Sequence, residues 1–255
     1  MSRRLYKAVL VLLVHGLSHP ATSFAVEESQ SRIHGDLGGF VNAAQSPVRG
    51  GRKRVMLLPY AYFDYGSTYV RLDTFGVKTL PIGYGHLELA GRIKFDGYQT
   101  AGNAALQGIN DRQNSIPVGL GSFQLTPIGG FFLYAFHDVN RSQGNLYEAV
   151  YVAKFALGEA AVYPQIGIEL NSGKYNQYYY GVSASESAAS GYAAYTPSAS
   201  TSPLLKVMLE VPLAEGWYAN LYLRRKWLGA AIANSPLAGR KNEDNGFVGV
   251  AFRFK

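Results

Sequence analysis

The chain has no cysteine, so neither a disulfide framework nor a thiolate metal site can be built from it. Charged residues make up only 16% of its 255 positions. Beyond residue 25 no apolar run approaches the roughly 20 residues that a membrane-crossing helix needs. Helical insertion is therefore excluded, while insertion as strands is not. A barrel averages outward apolar and inward polar side chains, and the mean hydropathy is −0.04. There is no Gly-x-Ser-x-Gly elbow and no usual spacing of metal ligands. After residue 25 the histidines are His34, His86 and His137. No catalytic constellation, cofactor or metal is expected. The net charge of +7 includes Arg3, Arg4 and Lys7, and without them the rest carries +4, too little to mark a nucleic-acid partner.

The opening residues read as an export signal. Arg3, Arg4 and Lys7 precede a short apolar run at 8–14, and Ser23-Phe24-Ala25 offers a cleavage site after Ala25. The expected organisation is a cleavable signal at 1–25 followed by a single domain at 26–255.

That domain alternates with period two over segments of about ten residues, the length of a tilted membrane strand. In residues 85–95, Leu87, Leu89, Ile93 and Phe95 share one face, while His86, Glu88, Arg92 and Lys94 share the other. In 205–213, Leu205, Val207, Leu209, Val211 and Leu213 oppose Lys206, Met208 and Glu210. In 217–227, Trp217, Leu221, Leu223 and Trp227 oppose Tyr218, Tyr222, Arg224 and Lys226, and Arg225 interrupts the apolar face, from which it can snorkel to headgroups. The terminal stretch 247–254 sets Val248, Val250, Phe252 and Phe254 against Arg253. With 35–44, 54–64, 67–76, 118–126, 129–138, 147–156, 160–169 and 175–182, this predicts an all-β, antiparallel, up-and-down transmembrane barrel of about 12 strands, within 10–14. Turns at Gly66 and Gly216 fall on one rim in this count and Gly158 on the other. A miscounted strand is therefore expected within 96–116, with another near 175–203. Residues 96–116, 183–203 and 228–245 read as long loops, the second a mobile one rich in alanine and serine.

The candidate functional residues are the charges on the inward face: Glu88, Arg92, Lys94, Lys206, Glu210, Arg224, Lys226 and Arg253, with Arg71, Asp73, Glu148, Lys154 and Glu169 beside them. Mixed signs on neighbouring strands fit either a cross-linked, plugged interior or a narrow water path, and the barrel size favours these two over a wide porin. His86 and Glu88 fit a hydrogen-bond network better than a hydrolase base. His137 and Asp138 point to opposite faces.

Several motifs carry a family resemblance. Ile109-Asn110-Asp111-Arg112, Tyr178-Tyr179-Tyr180-Gly181-Val182 with Glu186 downstream, Tyr195, and Ser235-Pro236-Leu237 before an aromatic terminal strand resemble the MltA-interacting protein (MipA/OmpV) family. The resemblance spans nearly the whole chain after residue 25. It implies a non-enzymatic barrel of the bacterial outer membrane, surrounded by outer-membrane lipid. It also implies a scaffold between a murein-degrading lytic transglycosylase and a bifunctional penicillin-binding protein; a narrow porin-like channel is the alternative. Read by residue type alone, Tyr178, Tyr179 and Tyr180 suit an interface girdle and Ser235-Pro236 a loop turn.

Overall fold

The computed structural model describes residues 32–254; the expected signal at 1–25 lies outside them. Twelve strands follow in chain order: β1 Ile33–Gln45, β2 Lys53–Tyr65, β3 Thr68–Arg71, β4 Thr74–Ile82, β5 Gly85–Arg92, β6 Val118–Thr126, β7 Gly129–His137, β8 Asn145–Val152, β9 Ala160–Asn171, β10 Ser200–Ala214, β11 Trp217–Trp227 and β12 Asn242–Phe254. After an interruption at Ala153 and Lys154, β8 resumes as Phe155–Leu157, still paired with β9. Each strand pairs antiparallel with its chain neighbours, and β12 returns to β1 over Gly35↔Phe254 to Ala44↔Asn245. The sheet therefore closes on itself.

Alternation sets the two faces of the wall. Val41, Leu57, Leu89, Leu120, Leu133, Ile166, Leu223 and Val248 all point outward and are exposed, and together they belt the wall. Inward positions such as Phe40, Tyr60, Glu88, Tyr134, Glu169, Asn220, Lys226 and Ala251 are buried. A closed sheet with an apolar outside of this extent matches hydrocarbon as its solvent.

The strand number agrees with the alternation count only because two errors cancel. Residues 67–76 are not one strand: the chain reverses at Leu72-Asp73, with Leu72 at φ 60°, and β4 continues to Ile82. No glycine or proline marks that turn. Residues 175–182 are not a strand either. Gly173–Tyr180 is α1, started by Ser172, whose side chain accepts from the Tyr175 N–H. The miscount thus lies at 67–82 rather than in 96–116. In the corrected order, Gly66, Gly158 and Gly216 share one rim, the turn rim, with the two described ends of the sheet. The loops 46–52, 93–117, 138–144, 172–199 and 228–241 share the other, the loop rim. Gly66 and Gly216 adopt φ 58° and 74°, which tight reversals require and side chains resist.

Three local expectations also differ from the structure. Residues 183–203 are not an open loop: Ala184–Ser190 forms α2 with a capping box between Ser183 and Glu186, and residues 200–203 already belong to β10. Arg225 does not snorkel. Across the outer face it meets Asp244 of β12 with two hydrogen bonds, of 2.7 and 3.0 Å. Met208 faces inward but packs on the Phe40, Tyr60 and Phe247 cluster, so the inner face is not uniformly polar.

The belt makes a quantitative expectation. Ile166 lies at the middle of β9 and points outward. Ile166→Arg should destabilise the barrel in lipid vesicles by about 2–4 kcal/mol, the cost of a basic side chain near the bilayer midplane. Ile166→Val should change it little. Denaturant titration read by heat-modifiable gel mobility checks this, and an unaffected Ile166→Arg variant would mean that this face does not meet lipid.

Candidate functional site: a lidded ionic lumen

The inward charges gather at two levels, with an aromatic layer between them. Nearest the loop rim, Glu169 of β9 accepts from Lys226 Nζ at 2.9 Å and Lys94 Nζ at 3.2 Å, with Arg224 at 4.0 Å. Lys226 and Arg224 also hold Glu243 of β12, at 3.1 and 2.8 Å. Arg92 reaches Glu148 at 3.1 Å, Lys206 approaches the other oxygen of Glu148 at 3.7 Å, and Lys94 lies 3.5 Å from Asp96. Glu169 and Lys226 are each 3% exposed. Charges so far from water are tolerable only when paired, and each of these has a partner of opposite sign. The void beside Arg92, Lys94, Glu148 and Glu169 has a volume of about 10 Å³, close to the lower limit for a single water.

An aromatic layer fills the next level on the β1–β2–β12 wall. Phe247 lies 4.6 Å from Phe40, stacks on Tyr222 at 5.0 Å and meets Tyr60 edge-on at 6.1 Å. On the opposite wall the Arg92 guanidinium sits over the rings of Tyr134 and Phe136, 4.7 and 4.9 Å from their centroids. Toward the turn rim, Arg253 of β12 holds Asp36 of β1 through two bonds of 2.7 and 2.8 Å and Glu210 of β10 at 2.6 Å, above the Tyr218 ring.

Glu88 stands apart from both clusters. Its Oε2 lies 3.0 Å from His86 Nε2, with Tyr69 and Tyr134 on the neighbouring buried wall. Ser122 does not complete a triad with this pair. It donates to the His86 backbone carbonyl, and its register partner is the outward Leu87. Among the described residues no group of three or more His, Asp or Glu is arranged to hold a metal. Asp138 accepts from the backbone of Asn140, Arg141 and Ser142, whereas His137 meets Asn145. Lys154 sits at the interruption of β8, its ammonium 5.6 Å from the centre of the Tyr163 ring. Arg71 pairs with Asp64, and Asp73 accepts from Thr74. Strand assignment alone missed Asp36, Asp96 and Glu243. Glu243 lay in a stretch read as loop, and Asp96 acts through a loop residue far away in sequence.

Above the ionic layer the long loops fold together into a lid. Tyr175, Tyr179, Tyr180, Val182, Leu106, Ile109, Ile232 and Leu237 form its buried core. Tyr175 and Tyr179 share a face of α1 through their i, i+4 spacing, with ring centroids 4.8 Å apart. Tyr175 Oη donates to Asp96 at 2.7 Å, which ties the lid to the charge layer. Arg112 donates to Glu186 at 2.7 Å and to the Tyr178 carbonyl. Tyr195 and Val182 exchange backbone hydrogen bonds of 2.9 Å each. Ser235 Oγ donates to the Tyr180 carbonyl at 2.6 Å. The motifs that carried the family resemblance therefore meet one another in the lid. Tyr179 and Tyr180 are not a membrane-interface girdle, because both are buried there.

Glu186 is the electrostatic key of this lid. Burial works to raise its pKa. Hydrogen bonds from the Ser183 N–H, the Arg112 guanidinium and the Asn110 N–H overcome that and hold it down at about 2, against an ordinary 4.5. A depressed carboxylate pKa stabilises the fold fully above its unfolded value and ceases to do so as pH falls through the folded one. The lid should therefore be unaffected by pH above about 4.5 and loosen between about 4.5 and 2. Glu186→Gln should cost about 1.5–3 kcal/mol at neutral pH, the range for hydrogen bonds to charged groups. Faster tryptic cleavage after Arg112 in the folded barrel is the expected signal, and an unchanged cleavage rate would remove Glu186 from this role.

A family model described as MltA-interacting protein MipA matches residues 37–254. The MltA-interacting protein of Escherichia coli (strain K12) is 27% identical over 245 residues, covering 92% of this chain and 95% of that relative. The putative outer membrane protein YiaT of the same strain is 24% identical over 238 residues, covering 92% and 96%. The outer membrane protein OmpV of Vibrio cholerae serotype O1 is 28% identical over 151 residues, covering 59% and 58%. The chain belongs to the MltA-interacting protein (MipA/OmpV) family of outer-membrane β-barrel proteins.

Proposed function

We propose that this barrel is a non-conducting, non-enzymatic scaffold, exported by a signal at 1–25, whose turn rim faces the periplasm and docks murein machinery. The observation that carries the reading is the closed lumen: buried ion pairs cross it and a packed lid covers it. An interior of this kind offers no path for a solute, so the surface is what remains to act. The sidedness follows from loop length, since barrels of the outer membrane keep short turns on the periplasmic side and long loops outside. The apolar belt then meets outer-membrane lipid.

The partner class is suggested by the printed name of the relative, MltA-interacting protein. A lytic transglycosylase is the first partner to test, and a bifunctional penicillin-binding protein the second. Both act on murein, which lies on the turn-rim side in this orientation. Ser67 and Glu215 are exposed at turns of that rim. With no native cysteine, each can be replaced singly by cysteine for site-specific crosslinking in envelopes. Capture of a lytic transglycosylase from either site is expected, while Arg52→Cys on the loop rim should capture none. Planar-bilayer recording of the purified protein should show no steady conductance. Discrete channels altered by Lys94→Ala or Arg224→Ala would favour the porin-like reading instead.

A further inference from the structure

Among the described residues, the closed sheet has an open edge along β2. β3 is only four residues long, and its register with β2 runs from Tyr65↔Thr68 to Tyr62↔Arg71. The Leu72 N–H donates to the Ala61 carbonyl at 2.8 Å, so the odd-numbered residues of β2 turn their peptide groups toward the β3 side. Beyond that bond toward the loop rim, Lys53, Val55, Leu57 and Pro59 have no strand partner on that side among the described residues. Pro59 falls in this set, the place where a missing N–H costs a strand least. Across the gap stands the upward continuation of β5, bridged at Lys94↔Ser115 and Tyr98↔Arg112. The Arg54 guanidinium spans the gap to the Gly97 carbonyl. Val55 and Leu57 flank it and are 63% and 78% exposed.

The same corner of the loop rim is basic. Arg49, Arg52, Lys53 and Arg54 fall within six residues. The loop 228–241 docks against them, with the Gly239 and Arg240 N–H groups donating to the Pro47 carbonyl at 2.8 and 3.2 Å, and brings Arg240 and Lys241. Among the described residues none of these six cations makes a salt bridge, whereas the lumen cations are paired. Unpaired strand N–H groups and carbonyls are costly beside hydrocarbon. A row of cations directly above an apolar, hydrogen-bonding edge calls for an anion that carries acyl chains.

We infer that the open edge of β2, with the basic corner above it, is a binding site for a phosphorylated lipid of the outer leaflet. The headgroup phosphate meets Arg49, Arg52 and Lys53, and an acyl chain lies along Val55 and Leu57. The inference rests on the orientation proposed above, in which the loop rim faces outward. It adds a specific occupant that neither a scaffold nor a channel requires.

The test uses the full barrel folded into phosphatidylcholine vesicles, with a single cysteine at Leu57 carrying an environment-sensitive fluorophore. A second variant labelled at Ile166, which is also outward but on β9, is the reference. Added diphosphorylated lipid A should shift the Leu57 label saturably and leave the Ile166 label unchanged. Arg52→Ala combined with Lys53→Ala should weaken the response by about tenfold or more, since each basic residue at a membrane surface adds a several-fold preference for anionic lipid. Both substituted residues are exposed, and heat-modifiable mobility verifies that the variant folds. Equal shifts at both labels, or an unchanged response in the double variant, would overturn the site. Full competition by inorganic phosphate would reduce it to a soluble-anion site and overturn the lipid. Disulfide-linked dimers through the unlabelled Leu57→Cys variant would assign the edge to a second copy. Labelling of Arg52→Cys on intact cells by an impermeant maleimide tests the orientation separately, so its failure is distinguishable from failure of the site.

Discussion

The structure depends on closure of one ring of backbone hydrogen bonds. A strand that crosses hydrocarbon has no water to satisfy its N–H and C=O groups, so each must find a neighbouring strand. Pairing of β12 with β1 provides this for the two strands that would otherwise be sheet edges. Once the ring is closed, period-two alternation does the sorting: outward apolar residues join the belt and inward residues are committed to the lumen. The short β3 hairpin is the local exception to that closure. It leaves part of β2 with a partner on one side only, in the place where the cationic corner of the loop rim collects.

Closure also explains the lumen. Side chains from a ring of this size converge on a narrow interior, and those that carry charge lose their water. The upper layer answers with five cations, Arg92, Lys94, Lys206, Arg224 and Lys226, interleaved with Asp96, Glu148, Glu169 and Glu243. Such pairs are not large net contributors to stability, because desolvation offsets much of the attraction. Their consequence is specificity. Removing one partner strands a charge, so the network ties β5, β8, β9, β10, β11 and β12 to one mutual arrangement. The aromatic layer and the Arg253 triad do the same closer to the turn rim.

The lid adds a second core on top of the first. Its apolar centre is assembled from four loops, the loop 46–52 contributing Val48, and its edges are sewn by side chains that reach backbone carbonyls, as Ser235 does to Tyr180 and Tyr195 to Ala231. The residues that mark the family sit in this cap. The wall shares its alternation with any barrel of similar size. A barrel fold by itself supports many activities, so what sets this chain apart from a bare barrel is the cap and the surfaces around it.

The faces of the wall were legible in the sequence because alternation is a local consequence of the pleat: Leu87 against Glu88, or Val250 against Arg253, needs no distant partner to be assigned. The tight reversals at Gly66 and Gly216 were legible for the same reason, since positive φ selects glycine locally. The reversal at Leu72 was not, because a leucine in that conformation is held by packing on the Phe40 and Tyr60 cluster and not by its own preference. The three tyrosines at 178–180 suit a strand, an interface or a helix equally well. Only the lid, through Ser172, Asp96 and Ser235, decided that they form a helix with Tyr179 and Tyr180 buried. Ion pairing followed the same division. That Glu169 faces inward follows from its own strand, but its partners Lys94 and Lys226 lie 75 and 57 positions away, and only ring closure brings them within reach.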